Sequence, residues 1–286
     1  MLWVDLVVLA VAVIWGASYP VAKVALAHAP VLVLILYRFV ITAAIMALVA
    51  RRDIATASRR DLLAGMVLGG ILFGIFLAET RGIARTSATN AALIISLCTV
   101  ITPFLDYSLR GRLPPLAVIC GAALAILGVA FLAGDMTAAG SGDLLILGAA
   151  MLRAIMVVST RRLMAGSALS TAALTAVQAS TVMALTLAAL LTLSGPSGLF
   201  VTAGPGFWAA VAFLSLFCTI AAFYVQNAAL RRSTPTRVSF LMGTEPLFGF
   251  ALSWALLSEA ASASTLLGAG LIVGGTFLGL VFEREG

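Results

Sequence analysis

The chain has 286 residues, of which 62% are hydrophobic and 10% charged, with a formal net charge of +6 and a mean hydropathy of +1.16. Soluble domains of this length carry about 45–50% apolar and about 25% charged residues, so a water-soluble globule is excluded and an all-α integral membrane protein is expected. Ten spans of about 20 residues would use about 200 positions, leaving short connections and no room for a soluble domain.

Apolar runs predict helices at residues 4–27, 31–50, 61–80, 87–109, 114–133, 143–163, 170–193, 206–229, 235–257 and 263–282. The breakers fall between them: Pro30, 51–60, Pro114 with Pro115, 134–142, 195–205 and 231–235. The first run carries Asp5 and no basic segment before it, so it is expected to remain as a span. Gly65 with Gly69, Gly70 with Gly74, Gly270 with Gly274 and Gly275 with Gly279 are expected to admit close helix contacts in lipid. Cys98, Cys120 and Cys218 lie inside apolar runs with no metal or disulfide spacing, and read as packing residues.

The basic residues stand in short pairs between the runs, which points to the cytoplasmic lipid face and not to nucleic acid. With the N-terminus inside, twelve arginines fall on the cytoplasmic side, and only Arg81 and Arg85 on the external side. That asymmetry predicts both termini in the cytoplasm.

A shift of 147 lays the second half on the first. The stretch from Arg85 to Thr89 falls on Arg232 to Thr236, Gly121 on Gly268, and Gly128 on Gly275. Each half holds five predicted spans, an odd number, so the halves must be oppositely oriented. The expected architecture is ten transmembrane helices as two inverted five-helix repeats, residues 1–137 and 138–286, with a site near the midplane at their interface.

Charged and aromatic residues within spans are the candidates for that site, because a charge at the bilayer centre costs roughly 2.5–3.5 kcal/mol on insertion scales and must face a partner or water. Lys23, Arg38, Glu79, Asp106, Arg153 and Glu245 qualify by position. Trp15, Tyr19 and Lys23 share one helical face, either as a stacking wall for an apolar side chain or as interhelical packing with a snorkelling lysine. Glu79 is placed to pair with Lys23 or Arg38. Arg153 and Glu245, each about ten residues into its span, either meet the two ends of a zwitterion or pair with each other. Pro246 frees a backbone carbonyl beside Glu245. Asn90, Tyr224, Gln226 and Asn227 are expected to supply hydrogen bonds, to substrate or between helices.

The stretch Thr244-Glu245-Pro246-Leu247-Phe248 through Ser258-Glu259 and on to Gly268–Gly275 resembles the EamA repeat of the drug/metabolite transporter superfamily, as does Trp15-Gly16-Ala17-Ser18-Tyr19. In the first half Thr99 stands where the repeat has proline, and Arg112 where it has the glutamate matched by Glu259. The resemblance covers the whole chain and is greatest to bacterial aromatic amino-acid exporters. It implies a bacterial inner-membrane exporter of small metabolites, with aromatic or other apolar amino acids as substrates, alternating access, and a monomer or weak homodimer. Efflux of cationic or amphipathic drugs and a channel-like facilitator are the alternatives. No cofactor and no enzymatic activity are expected: there is no HExxH, Ser18 and His28 lie ten residues apart on one helix, and Lys23 follows no glycine-rich loop.

Overall fold

The computed structural model describes residues 2–86, 88–133, 140–249 and 263–283, and all its regular elements are helical. In order they are α1 (Leu2–Leu26), α2 (Val31–Ala55), α3 (Arg59–Arg85), α4 (Ala88–Ile95), α5 (Cys98–Ser108), α6 (Leu116–Ala133), α7 (Ser141–Leu163), α8 (Thr171–Ser194), a 3-10 turn (Pro196–Leu199), α9 (Pro205–Ser215), a π-helical turn (Leu216–Ala221), α10 (Ala222–Arg232), α11 (Pro235–Met242) and α12 (Ala263–Glu283). Seven helical stretches are long and apolar enough to cross a bilayer: Trp3–Leu26, Val31–Ala55, Arg59–Arg85, Ala91–Ser108, Ser141–Leu163, Thr171–Ser194 and Pro205–Arg232. Leu116–Phe131 and Leu266–Val281 are shorter apolar helices. The chain is therefore a multi-pass membrane protein.

Two of the expected spans are not continuous. The fourth breaks between α4 and α5 at Ser96 and Leu97, and the ninth breaks after α11 at Gly243 and Thr244. Helix resumes from Glu245 to Gly249; residues 250–257, the end of that expected span, and the motif positions Ser258 and Glu259 lie outside the described residues. At the breaks, hydrogen bonds shorten from four residues to three, as in Ser96 N to Leu93 O (3.2 Å) and Thr244 N to Leu241 O (3.3 Å). Pro246 contributes no N–H to rebuild the ladder. The broken helices meet there: Ser239 Oγ donates to the Cys98 carbonyl at 3.3 Å. A side chain at Gly243 would overlap Thr99, so the approach requires glycine. The second span also runs further than expected, to Ala55, because Arg51 and Arg52 sustain a helix beyond the apolar run.

Contacts between helix ends give the directions of the elements. At one end, Lys23 near the C-terminus of α1 donates to the carbonyls of Ile83 and Thr86, both at 2.6 Å, at the C-terminus of α3. Thr86 Oγ1 in turn donates to Asp143 at the N-terminus of α7 (2.6 Å). So α1 and α3 are parallel, and α7 is antiparallel to both. At the opposite end, Arg237 in the first turn of α11 grips Asp5 through two bonds of 2.9 and 2.5 Å and reaches the Leu280 carbonyl near the end of α12. Asp106, held by Arg110 at 2.8 Å, accepts from Thr236 there.

Helices α6 and α12 pack backbone to backbone. A Cβ on Gly121 would sit 2.7 Å from the Gly275 carbonyl, and one on Gly128 would meet the Gly268 carbonyl. The contacts ascend along one helix and descend along the other, so the pair is antiparallel. The glycine pairs do not all behave as expected. Gly65 meets Val177, Gly69 meets Thr181, Gly74 approaches Leu152, and Gly275 and Gly279 are tightly packed, but Gly70, Gly270 and Gly274 face open space.

Candidate functional site

Trp15 and Tyr19 are buried on the inner face of α1, one turn apart, at 3% and 1% exposure. The Trp15 indole Nε1 donates to the Cys218 carbonyl at 2.8 Å. That carbonyl belongs to the π-helical turn, where Thr219 Oγ1 donates five residues back to Leu214 (2.8 Å). Such a widened turn re-aims backbone and side-chain groups and often marks a functional position. Here Thr219 Oγ1 also accepts from Arg38 Nε at 2.5 Å, so one turn of the chain ties α1 to α2.

From these anchors a stack of rings and guanidinium groups crosses the molecule. Arg153 lies 4.4 Å over the Trp15 ring. Trp15 is 5.4 Å from Phe223, and Phe223 is 5.9 Å from Phe76. Arg38 lies 4.5 Å over the Phe76 ring. Each cation–π contact is worth about 0.5–2 kcal/mol, the more so when desolvated. Beyond Arg153 the stack ends in Glu245, whose Oε2 accepts from Arg153 Nη1 at 3.1 Å. Gly16 lets α1 approach closely enough for this, since a Cβ there would meet the Glu245 carbonyl at 2.9 Å. The other Glu245 oxygen and the neighbouring Tyr19 hydroxyl are buried without a hydrogen bond of ordinary geometry.

The stack walls a cavity of about 30 Å³ lined by Trp15, Ser18, Arg38, Phe76, Glu79 and Gln226 among others. A second space continues it past Glu79 to Thr80 and Ile83, toward the Lys23 end. Together they hold a few waters at most. Ligand pockets typically enclose about 300–1,000 Å³, so the rings must part before a metabolite can enter.

The expected site residues divide on this geometry. Trp15, Tyr19, Glu79, Arg153, Gln226 and Glu245 lie at or beside the cavity. The expected ion pair between Glu79 and Lys23 or Arg38 does not form. Lys23 is spent on the open carbonyls at the C-terminus of α3, and Arg38 on Thr219 and Phe76. Among the described residues no cation comes within 4.0 Å of the Glu79 carboxylate. Asn227 bonds to Thr175 (3.1 Å) and Gln178 (2.8 Å), tying α10 to α8 away from the cavity. Tyr224 is 44% exposed on the outer face of the bundle. Two positions along a helix turn a side chain about 200°, so Tyr224 faces away when Gln226 faces in. The side chain of Asn90 lies outside the described residues.

Sequence reasoning passed over Phe76, Phe223 and the anchor Thr219, and left Arg38 unassigned to the site. A signal for the two rings was present: the shift of 147 lays Phe76 on Phe223 and Glu79 on Gln226.

A multi-pass helical membrane protein with charge and aromatic surface around a buried central cavity is the class that fold and site define. The family model of the EamA-like transporters matches twice, over residues 2–134 and 140–281. The chain belongs to the EamA-like transporter family. A protein of Archaeoglobus fulgidus described as an uncharacterized transporter is 26% identical over 279 residues, which is 95% of this chain and 84% of the relative. A crystal structure superposes with a TM-score of 0.79 at 20% identity, covering 99% of this chain and 98% of the other, and shares the fold.

Proposed function

We propose that this membrane transporter exports small amphipathic metabolites, with aromatic or other apolar amino acids as the substrate class, by alternating access across a bacterial inner membrane. In this reading residues 1–137 and 138–286 are inverted five-span repeats with both termini cytoplasmic. Three observations support the arrangement. The breaks at Leu97 and Thr244 are related by the shift of 147 found in the sequence. Helices α1 and α7, which begin the two halves, are antiparallel. Gly121 packs on Gly275 and Gly128 on Gly268, which is the reciprocal contact a two-fold axis between repeats requires.

The observation that carries the substrate reading is Glu79. It is a carboxylate without an ion-pair partner among the described residues, in a cavity that also holds two guanidinium groups, Arg38 and Arg153, with aromatic rings between them. An ammonium group at Glu79, a carboxylate at a guanidinium and a ring between Phe76 and Phe223 is the complement of an aromatic zwitterion. Two fixed cations in the same space oppose a purely cationic drug. All these residues come from one chain, so a monomer suffices.

Uptake into proteoliposomes with a panel of amino acids and lipophilic cations, with and without a pH gradient, tests this. Saturable uptake and counterflow of phenylalanine or tryptophan are expected. Transport confined to lipophilic cations would reject the substrate class, and non-saturable flux without counterflow would reject a carrier.

A further inference from the structure

Another pocket, of about 200 Å³, begins one helical turn beyond the central cavity, at the end of the bundle where α7 and α10 terminate; it is lined by Thr160, Arg161, Met164, Gly166, Leu230 and Arg231 among others. Two of its polar atoms lack partners among the described residues. Thr160 is 1% exposed, yet its hydroxyl has no partner among the described residues. Other helical threonines, Thr42, Thr175, Thr181 and Thr186, satisfy theirs on the carbonyl four residues back at 2.7–3.0 Å, although the buried Thr276 hydroxyl also lacks a partner. Arg231 donates through Nη2 to the Leu169 carbonyl, which leaves its buried Nε unpartnered. Arg161 makes both its bonds through Nη1, to the carbonyls of Leu230 (3.3 Å) and Arg231 (3.0 Å). Those bonds cover carbonyls at the end of α10 that would otherwise repel an anion.

Among the described residues no ion pair engages either arginine; Asp61 acts on Arg231 only from beyond ion-pair distance. Two oriented guanidinium groups with spare N–H donors and a free hydroxyl, around a space several times the roughly 30 Å³ share of one water, match the oxygens of a phosphate group. We propose that this pocket binds a phosphate ester, either the headgroup of an anionic phospholipid or a soluble organic phosphate. The proposal rests on the chain being a membrane protein, and is independent of the transported substrate. A lipid headgroup fits the position at a helix-end rim flanked by Arg162 and Arg232.

The test is native mass spectrometry of the purified full-length protein with phosphatidylglycerol, phosphatidylcholine and glycerol 3-phosphate. The variants are Thr160→Val and the double variant Arg161→Gln with Arg231→Gln. The wild type should retain phosphatidylglycerol over phosphatidylcholine. Thr160→Val, close to isosteric, should weaken that retention about threefold, and the double variant about tenfold or more. Loss in the variants with no binding of glycerol 3-phosphate supports the lipid source. Loss accompanied by competition from glycerol 3-phosphate supports the soluble one. Equal retention of both lipids by the wild type together with no binding of glycerol 3-phosphate, or unchanged binding in variants of unaltered melting temperature, overturns the proposal. Thr160→Val keeps both arginine caps, so a loss of folding in the double variant leaves the question decidable.

Discussion

Arg153 is held from two sides, by the Glu245 carboxylate and by the face of Trp15, and its side chain is only 11% exposed. Removing one member of a buried pair leaves a charge with neither water nor partner and costs about 3–5 kcal/mol, whereas removing both costs much less. Arg153→Met and Glu245→Gln should therefore each lower thermal stability strongly. The double variant should recover most of it while remaining inactive in transport, because Arg153 lines the cavity; recovery of transport with stability would make the pair purely structural. Trp15→Phe keeps a ring in the stack but removes the indole bond to the Cys218 carbonyl, and should cost about 0.5–1.5 kcal/mol in chemical denaturation. At this scale, depth was legible in the sequence. Arg153 and Glu245 lie at matching positions within their spans, and that is why they meet. Facing was not. Tyr224 was grouped with Gln226 by proximity along the chain, although helical periodicity sets it on the opposite side. The partner of Lys23 was also hidden, because its partners are backbone carbonyls at a helix end, which no side-chain inventory lists.

Helices α6 and α12 are joined where glycine lets two backbones touch, and the same helices carry glycines that touch nothing. This contrast sorts substitutions cleanly. Gly121→Leu or Gly275→Leu should drive the pair apart and abolish the folded monomer in size-exclusion chromatography. Gly270→Ala meets open space and should be neutral or stabilising by about 0.5–1 kcal/mol, from the lower helix propensity of glycine. A four-residue spacing showed that close packing was possible without showing which pairs used it, since contact depends on the neighbouring helix. The helix breaks were half legible. Pro246 marked a weak point beside Glu245, but the interruption falls earlier, at Gly243, where glycine admits Thr99 of the other broken helix. Its counterpart at Leu97 has no proline beside it, and is set by a tertiary crossing that local propensity does not encode. The π-helical turn was invisible for the same reason: its widened geometry is stabilised by Trp15 and Arg38, which are distant in sequence.

Across the whole molecule, the end contacts form two belts. Lys23, Thr86 and Asp143 tie one end, and Asp5, Arg237, Asp106 and Thr236 tie the other. With both belts tied and the rings closed, the central cavity has room for little but water; in the proposed alternating access this is the form between the two open states. Composition and span periodicity made the all-helical, multi-pass architecture legible, because lipid imposes helices of set length. Orientation is the next claim to check. Cysteines introduced at Ser141 and Ser197 should react with an impermeant external reagent in intact cells, and one at Ser58 should not; the reverse pattern would contradict the assigned sides. The chemistry of the cavity decides whether the account holds as a whole, and it converges on Glu79. The most direct measurement is counterflow of phenylalanine against 3-phenylpropionate, which lacks the ammonium group, in liposomes carrying the wild type or Glu79→Gln. The wild type should strongly prefer phenylalanine, and Glu79→Gln, folded to the same melting temperature, should lose that preference by about tenfold or more. An undiminished preference for phenylalanine in Glu79→Gln would contradict the proposed recognition of an aromatic zwitterion.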